Sequence, residues 1–231
     1  MSAALPAIRL TELRFSYARG LAEVLRIPAF QVEAGEKVFI FGPSGSGKTT
    51  LLGVLAGVLG GYTGKVEVLG RDVAKLSGSQ RDAFRGSHMG YIFQLFNLIP
   101  YLSVMENITL PCRLSPERRA RLHGLPMEQA AHEVAKRLGI DELLSKRVTN
   151  LSVGQQQRVA AARSLLGAPE LIIADEPTSS LDYDHRERFL ELLFESCRLA
   201  GSTLLFVSHD RSLMHLFDRQ LSLPDINKAG S

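Results

Sequence analysis

The chain has 231 residues, of which 45% are hydrophobic and 22% are charged. These fractions are ordinary for a globular protein and exclude a disordered, collagen-like or coiled-coil chain. The net charge of +3 is too small to require a nucleic-acid partner, so none is expected. Two cysteines form neither a disulfide framework nor a zinc-ligand spacing, which favours a reducing cytosolic compartment.

The apolar segments are too short for membrane insertion. Charges interrupt the first fifteen residues before a signal-peptide core could form. The longest apolar-rich stretch, at 51–62, is too short and too rich in glycine to cross a bilayer. If the protein works at a membrane, we expect another chain to provide the spans.

Strands and helices are predicted to alternate along the chain. Alternating or continuous apolar runs predict strands at 8–16, 24–32, 37–41, 64–70, 91–93, 171–175 and 203–207. Helical spacing of apolar residues predicts helices at 48–58, 152–167 and 184–199. The last nine residues, 223–231, are predicted to form a tail. This order predicts an α/β fold with a mainly parallel sheet covered by helices.

Residues 103–150 differ from the rest and are predicted to form an all-helical insert. Ser103 and Glu106 have the spacing of a capping box before an apolar run. Apolar side chains at helical spacing follow between Met127 and Leu138. A short basic run includes Arg113, Arg118, Arg119 and Arg121. A solvated face is the favoured interpretation of this run, and contact with a partner or lipid headgroups is the alternative.

A glycine-rich loop lies between the predicted strand at 37–41 and the helix that follows. Residues 42–49 (GPSGSGKT) fit the pattern G-x-x-x-x-G-K-[ST]. Glycines allow backbone N–H groups to approach phosphate oxygens, and a helix starting near Gly47 directs its positive end at the same anion. Lys48 adds a full charge, and Thr49 offers a hydroxyl to Mg²⁺. The loop predicts binding of nucleotide phosphates.

A pair of carboxylates ends the predicted strand at 171–175. Adjacent side chains on a strand point to opposite faces, so Asp175 and Glu176 are expected to have different roles. Asp175 suits the Mg²⁺ site beside Thr49. Glu176 is then available to orient or deprotonate an attacking water. An acidic pair that only caps a strand is the alternative, which the nearby phosphate loop disfavours.

The helix predicted from residue 152 has a start that fits two interpretations. Ser152 and Gln155 have capping-box spacing, which describes an ordinary helix start. The same geometry, with the bare N–H of Gly154, also suits a terminal phosphate.

In combination these motifs resemble the ATP-binding subunits of ABC transporters over roughly residues 8–223. The resemblance implies that Tyr17 stacks on adenine, although a strand residue is the alternative. It implies that Gln94 touches Mg²⁺ and senses the membrane partner, and that His209 contacts the γ-phosphate. The implied nucleotide-binding residues are Tyr17, Gly42, Pro43, Ser44, Gly45, Ser46, Gly47, Lys48, Thr49, Thr50 and Gln94. The implied Mg²⁺ ligands are Thr49, Gln94 and Asp175, with Glu176 and His209 as catalytic residues.

The resemblance also implies a dimer. ATP lies between the phosphate loop of one subunit and the signature residues of the other, which here are Ser152, Val153, Gly154 and Gln155. Asp182 resembles the aspartate of the D-loop. Val153 departs from the usual glycine, but a position in the first turn of a helix needs no positive φ. We expect a homodimer, although a heterodimer is the other arrangement that the family allows.

The implied architecture is one ABC ATPase domain over 1–231. A RecA-like core of the P-loop NTPase type covers about 1–93 and 168–231, with an antiparallel N-terminal part. A helical subdomain covers about 94–167. The implied location is peripheral, on the cytoplasmic face of the inner membrane, bound to transmembrane permease subunits.

The segment after Gln94 and the short C-terminal part resemble the lipoprotein-release and macrolide-export subfamily. An importer for polar amino acids or other small solutes is the first alternative. A non-transport ABC protein acting on DNA or ribosomes fits less well, because the chain has one motif set and a modest insert. An unrelated P-loop kinase or GTPase would lack the helix that begins with the sequence LSVGQ at 151–155, and it would lack a histidine equivalent to His209.

Overall fold

The computed structural model describes residues 5–18, 20–179 and 183–229, without the side chains of 183–185. The chain divides into two compact units, Met1–Arg85 with Thr203–Ser231 and Gly86–Ser202. Among the described residues, no helix is both long and apolar enough to cross a membrane.

The strands and helices closely follow the predicted order. The strands are β1 (Ile8–Phe15), β2 (Leu25–Val32), β3 (Lys37–Phe41), β4 (Thr63–Val68), β5 (Arg71–Asp72), β6 (Met89–Ile92), β7 (Leu171–Asp175), β8 (Thr203–Val207) and β9 (Arg219–Ser222). The helices are α1 (Lys48–Leu55), α2 (Gly78–His88), α3 (Val104–Leu114), α4 (Pro116–Ala120), α5 (Met127–Arg137), α6 (Val153–Leu165), α7 (Tyr183–Ala200) and α8 (Leu223–Ile226). Helix α2 was not predicted, because GSQRDAFRGSH has too few apolar residues to show a helical period.

An antiparallel sheet forms the N-terminal part of the first unit. Strand β1 lies between β2 and β4 and pairs antiparallel with both. Its side chains alternate between buried and exposed until the pairing with β4 shifts between Thr11 and Arg14. At this irregularity Glu12 has a φ of 49°, and a Cβ on Gly64 would lie 2.1 Å from the Glu12 carbonyl oxygen. Only glycine fits this close backbone approach.

The parallel strands of the first unit position the glycine-rich loop. Strand β3 pairs parallel with β8 on one side and with β9 on the other. Val38, Phe39 and Ile40 of β3 are fully buried, as expected for a central strand covered on both faces. The glycine-rich loop leaves the C-terminal end of this strand.

Residues 223–229, the described part of the predicted tail, are packed against the rest of the first unit, so that prediction was wrong. β9 pairs with β3, and Leu223 at the start of α8 is fully buried. The backbone N–H of Lys228 then donates to the Arg26 carbonyl oxygen at 2.7 Å. The strand sequence RQLS has no apolar run, which explains why pattern analysis overlooked it.

The second unit contains the predicted helical insert. α3, α5 and α6 pack against one another, and β6 pairs parallel with β7. Ser103 and Glu106 form the predicted capping box at the start of α3. Parallel pairing in both units, an antiparallel N-terminal sheet and this helical part confirm the predicted α/β class.

Arg118 of the basic run is buried, which corrects the prediction that this run forms a solvated face. The residue is 2% exposed, and its guanidinium donates to the carbonyl oxygens of Leu166 at 2.6 Å and Met89 at 2.9 Å, and to that of Ser164. Ser164 and Leu166 belong to the last turn and cap of α6, whose carbonyls have no partner within the helix. Burial lowers the pKa of Arg118 to about 10. Arg118 therefore caps α6 with a positive charge at its negative end.

We predict that Arg118→Met destabilises the protein by about 2 kcal/mol or more, because it leaves buried carbonyl groups unpaired. Arg119→Met is the matched control, since Arg119 is exposed in the same helix. Urea unfolding of both variants measures the difference. Equal stabilities for the two variants would contradict the capping role.

Candidate active site

The glycine-rich loop curls around the side chain of its own lysine. Lys48 Nζ donates to the carbonyl oxygens of Gly42 and Pro43, both at 2.9 Å. Lys48 is buried, and the N–H of Ser46 donates to the Pro43 carbonyl oxygen at 3.3 Å. The loop thus holds a positive charge directly in front of the first turn of α1.

Gly47 has a conformation that other residues rarely adopt. Its φ is 98°, and an added Cβ would lie 2.9 Å from Leu25 Cδ2 and 3.2 Å from the Val24 carbonyl oxygen. Both backbone conformation and space therefore require glycine at the residue that caps α1.

The donors of the loop fit a phosphate ligand. The Ser46 hydroxyl is buried and has no hydrogen-bond partner within the described part of the chain. In the same loop the Lys48 ammonium binds the carbonyl oxygens of Gly42 and Pro43, and the first backbone N–H groups of α1 have no partner within the helix. A buried hydroxyl without a partner is costly unless a ligand or water completes it. Phosphate oxygens would satisfy this set of donors.

Tyr17 lies beside the helix that follows the loop. Its hydroxyl is 2.8 Å from Thr50 Oγ1, and its ring packs edge-to-face on Phe15 with a centroid distance of 5.1 Å. The side chain is 62% exposed, so it presents an aromatic face to solvent and is not part of the core. An exposed face at this position is available to stack on a base.

His209 follows β8, the strand that pairs with β3. The register pairs Ile40 with Val207, and the Ser208 N–H donates to the Ile40 carbonyl oxygen at 3.1 Å. The carboxyl ends of parallel strands lie at the same edge of a sheet. The glycine-rich loop follows β3 and the exposed His209 follows β8, so both lie at this edge. In the first unit, Tyr17 thus contacts Thr50 just after the loop, and His209 follows a strand that ends beside β3.

The carboxylates lie in the second unit at an equivalent edge. The register pairs Ile92 of β6 with Ala174 of β7, so Gln94, Asp175 and Glu176 follow neighbouring strand ends. Burial and the negative charge of Asp175 raise the pKa of Tyr91. Glu176 has a φ of 46°, in the left-handed region that costs energy for a residue other than glycine. Strand β7 ends at Asp175, so Glu176 is the first residue outside the strand.

The start of α6 has the predicted geometry. Ser152 is the N-cap, with its Oγ accepting from the Gln155 N–H at 3.3 Å and its own N–H donating to Gln155 Oε1 at 3.0 Å. Val153 is the first helical residue, is 48% exposed and does not have a positive φ. The valine therefore fits this position without strain, as predicted.

Two side chains of α6 that the sequence analysis did not identify hold the loops after β6 and β7. Gln157 is buried and donates from Nε2 to the Pro177 carbonyl oxygen at 2.9 Å. Arg163 donates to the carbonyl oxygens of Phe96 and Asn97, both at 2.7 Å. Gln157 could have been noticed in the sequence because it is a polar residue among the apolar positions of α6.

Asp182, the predicted D-loop residue, lies outside the described residues. The remaining predicted residues fall into two sets. Tyr17, the glycine-rich loop and His209 belong to the first unit. Gln94, Asp175, Glu176 and the start of α6 belong to the second unit.

Comparison with known proteins identifies the family. The ABC transporter family matches residues 25–179, and the chain belongs to this family. The predicted resemblance to its ATP-binding subunits is thereby confirmed.

Similar proteins cover almost the full chain. The lipoprotein-releasing system ATP-binding protein LolD of Novosphingobium aromaticivorans is 39% identical, covering 94% of this chain and 96% of the relative. LolD of Bacteroides fragilis is 35% identical, and the match covers 90% of this chain and 94% of the relative. The uncharacterized ABC transporter ATP-binding protein YbbA of Escherichia coli is 39% identical, and the match covers 83% of this chain and 82% of the relative.

A solved structure is similar over the same length. It is a dimeric ATP-binding cassette in a post-hydrolysis state bound to ADP and Pi, with a TM-score of 0.81 and 30% identity. The match covers 93% of each chain.

We predict that Tyr17→Ala weakens ATP binding by about 1–3 kcal/mol, the usual energy of base–aromatic stacking. Tyr17→Phe keeps the ring and loses only the contact with Thr50, so it should bind ATP much more tightly than the alanine variant. Calorimetric titration with ATP distinguishes the two. Unchanged affinity in Tyr17→Ala would exclude stacking.

We predict that Val153→Gly leaves ATPase activity within a few-fold of the wild type, because the valine is unstrained and the capping box needs only its neighbours. Steady-state ATP hydrolysis measures this. A large gain in rate would indicate that valine impairs the site.

Proposed function

We propose that this chain is the ATP-hydrolysing subunit of a transporter of the lipoprotein-releasing type. Similarity to the LolD proteins over nearly the whole length of both chains carries this proposal. The glycine-rich loop supplies the nucleotide site that such a subunit needs. Like the ATP-binding proteins of lipoprotein-releasing systems, it would act with membrane permease subunits.

We also propose that residues 1–231 form one ABC ATPase domain. The RecA-like core covers about 1–93 and 168–231, and the helical subdomain covers about 94–167. The four helices between Val104 and Leu165 support this division.

Residues of the first unit would bind the nucleotide. The loop N–H groups, the Ser46 hydroxyl and Lys48 hold the phosphates, and Tyr17 stacks on the adenine. The remaining contacts would come from Gly42, Pro43, Ser44, Gly45, Gly47, Thr49, Thr50 and Gln94.

Mg²⁺ would be held by oxygen atoms of Thr49, Gln94 and Asp175. Hydroxyl, amide and carboxylate oxygens are the ligands that this hard cation prefers. The ion would neutralise charge on the phosphate oxygens. Thr49 and Gln94 are exposed and Asp175 is half-buried, so all three are accessible to a ligand.

Glu176 would orient the attacking water and accept its proton. Glu176 lies just outside β7, whose last residue is Asp175, so the two carboxylates occupy different positions at the strand end. His209 would contact the γ-phosphate from the end of β8.

Two copies of the chain would enclose the ATP. The residues from Ser152 to Gln155 would meet the nucleotide of the partner subunit with the positive end of α6. The dimeric similar structure bound to ADP and Pi supports this arrangement.

The surface that meets the permease would include the segment after Gln94. Phe93 and Leu95 are neighbouring exposed apolar residues there, 36% and 83% exposed, and Tyr101 is 76% exposed, so the segment presents surface that a partner could cover. The subunit would lie on the cytoplasmic face of the inner membrane, attached only through its permease partners.

We predict that Glu176→Gln binds ATP, loses about 10²–10⁴-fold in turnover and forms a stable dimer with Mg-ATP. Glutamine keeps the shape of the side chain but cannot accept the proton. ATP hydrolysis and light scattering after size-exclusion chromatography measure the two effects.

Glu195→Gln is the matched control, because it makes the same chemical change at an exposed position of α7. It should hydrolyse ATP like the wild type. A Glu176→Gln protein that remains monomeric at saturating Mg-ATP would contradict the dimer model of catalysis.

A further inference from the structure

The C-terminal segment, residues 223–229, packs against the glycine-rich loop. A Cβ added to Gly42 would lie 3.2 Å from Pro224 Cδ and 3.5 Å from Leu223 Cβ. At the other end of the loop, an added Cβ on Gly47 would lie 3.6 Å from Asn227 Nδ2. The segment therefore touches the loop at its first and its last glycine.

Asn227 uses its whole side-chain amide in this contact. Its Nδ2 donates to the carbonyl oxygens of Val24 at 3.0 Å and Ser46 at 3.2 Å. Its Oδ1 accepts from the backbone N–H groups of Arg26 at 2.7 Å and Ala229 at 3.3 Å. Two donors and two acceptor positions are all that an asparagine amide offers.

The bond to Ser46 fixes the orientation of one peptide group in the loop. The Ser46 carbonyl and the Gly47 N–H belong to the same planar trans peptide, so they point in opposite directions. Holding the carbonyl towards the C-terminal segment directs the Gly47 N–H away from it. Without this bond, the peptide group between Ser46 and Gly47 would be freer to rotate. Gly47 already has a positive φ, and glycine allows many other conformations.

We propose that Asn227 is a positioning residue for nucleotide binding. It acts through the Ser46–Gly47 peptide and presets the Gly47 N–H for a phosphate oxygen. Preorganised donors bind an anion without first losing conformational entropy. The inference rests on the proposed function only in that ATP occupies the glycine-rich loop.

A separate set of contacts holds the C-terminal segment itself. Leu223 is fully buried, β9 pairs with β3, and the Lys228 N–H donates to the Arg26 carbonyl oxygen. None of these contacts uses the Asn227 side chain. A change at Asn227 can therefore alter the loop while the segment stays in place.

Asn227→Asp tests the proposal. The second carboxylate oxygen replaces the Nδ2 donor and faces the carbonyls of Val24 and Ser46, while the acceptor for Arg26 remains. We expect a rise of about three- to tenfold in the Kd and KM for ATP, the equivalent of one lost hydrogen bond. The kcat should change less than about twofold, because the substitution removes no contact to the reacting atoms.

Asp225→Asn is the control within the same segment. Asp225 is exposed on α8, so the exchange of carboxylate and amide there should leave Kd, KM and kcat at wild-type values. Asn227→Ala is the second variant, which removes both donor and acceptor without adding a charge. It should raise Kd and KM in the same direction and keep kcat.

The outcomes separate this inference from the proposed function. Wild-type Kd and KM in either folded Asn227 variant would overturn the positioning role, as would a lowered melting temperature with unchanged ATP affinity. A fall in kcat at constant KM would also overturn it. A wild-type protein that fails to bind ATP would instead overturn the proposed function.

Discussion

The conformation of the loop from Gly42 to Lys48 is the constraint on which nucleotide binding depends. Its N–H groups must converge on an anion, and a chain of ordinary residues cannot turn so tightly. Gly45 and Gly47 provide the positive φ angles, and the buried Lys48 ammonium joins the two ends of the loop. The fully buried strand β3 gives the loop a rigid base.

Helix α6 provides the corresponding constraint in the second unit. It starts at Ser152, and its buried Gln157 and partly buried Arg163 hold the loops that follow β7 and β6. Arg118 caps its last turn. Movement of the helix start would therefore be transmitted to the loops that carry Glu176 and Gln94.

The sequence predicted the local geometry of these elements. A phosphate loop, a capping box and an acidic strand end are each short patterns in which neighbouring residues determine the geometry. The predicted β-strand order and helical insert rely on periodicity, which burial on one face imposes. Residue types alone also placed Val153 correctly at the first turn of α6.

Features that depend on distant residues were not predictable. Arg118 lies in a run of charges, and only the folded chain reveals the carbonyls that surround it. Residues 223–229 have the composition of a tail, but their contacts come from Arg26, Val24 and Ser46, about two hundred residues away in sequence. A single asparagine with four well-placed partners has no sequence signature.

Purification of the chain from membranes in mild detergent, with identification of the proteins that remain bound, tests the central claim most directly. A subunit of a lipoprotein-releasing system should retain a permease with few membrane spans and a large extracytoplasmic domain. The association should persist after a salt wash that removes weakly bound proteins. A permease with many spans, accompanied by a solute-binding protein, would contradict this assignment and indicate an importer.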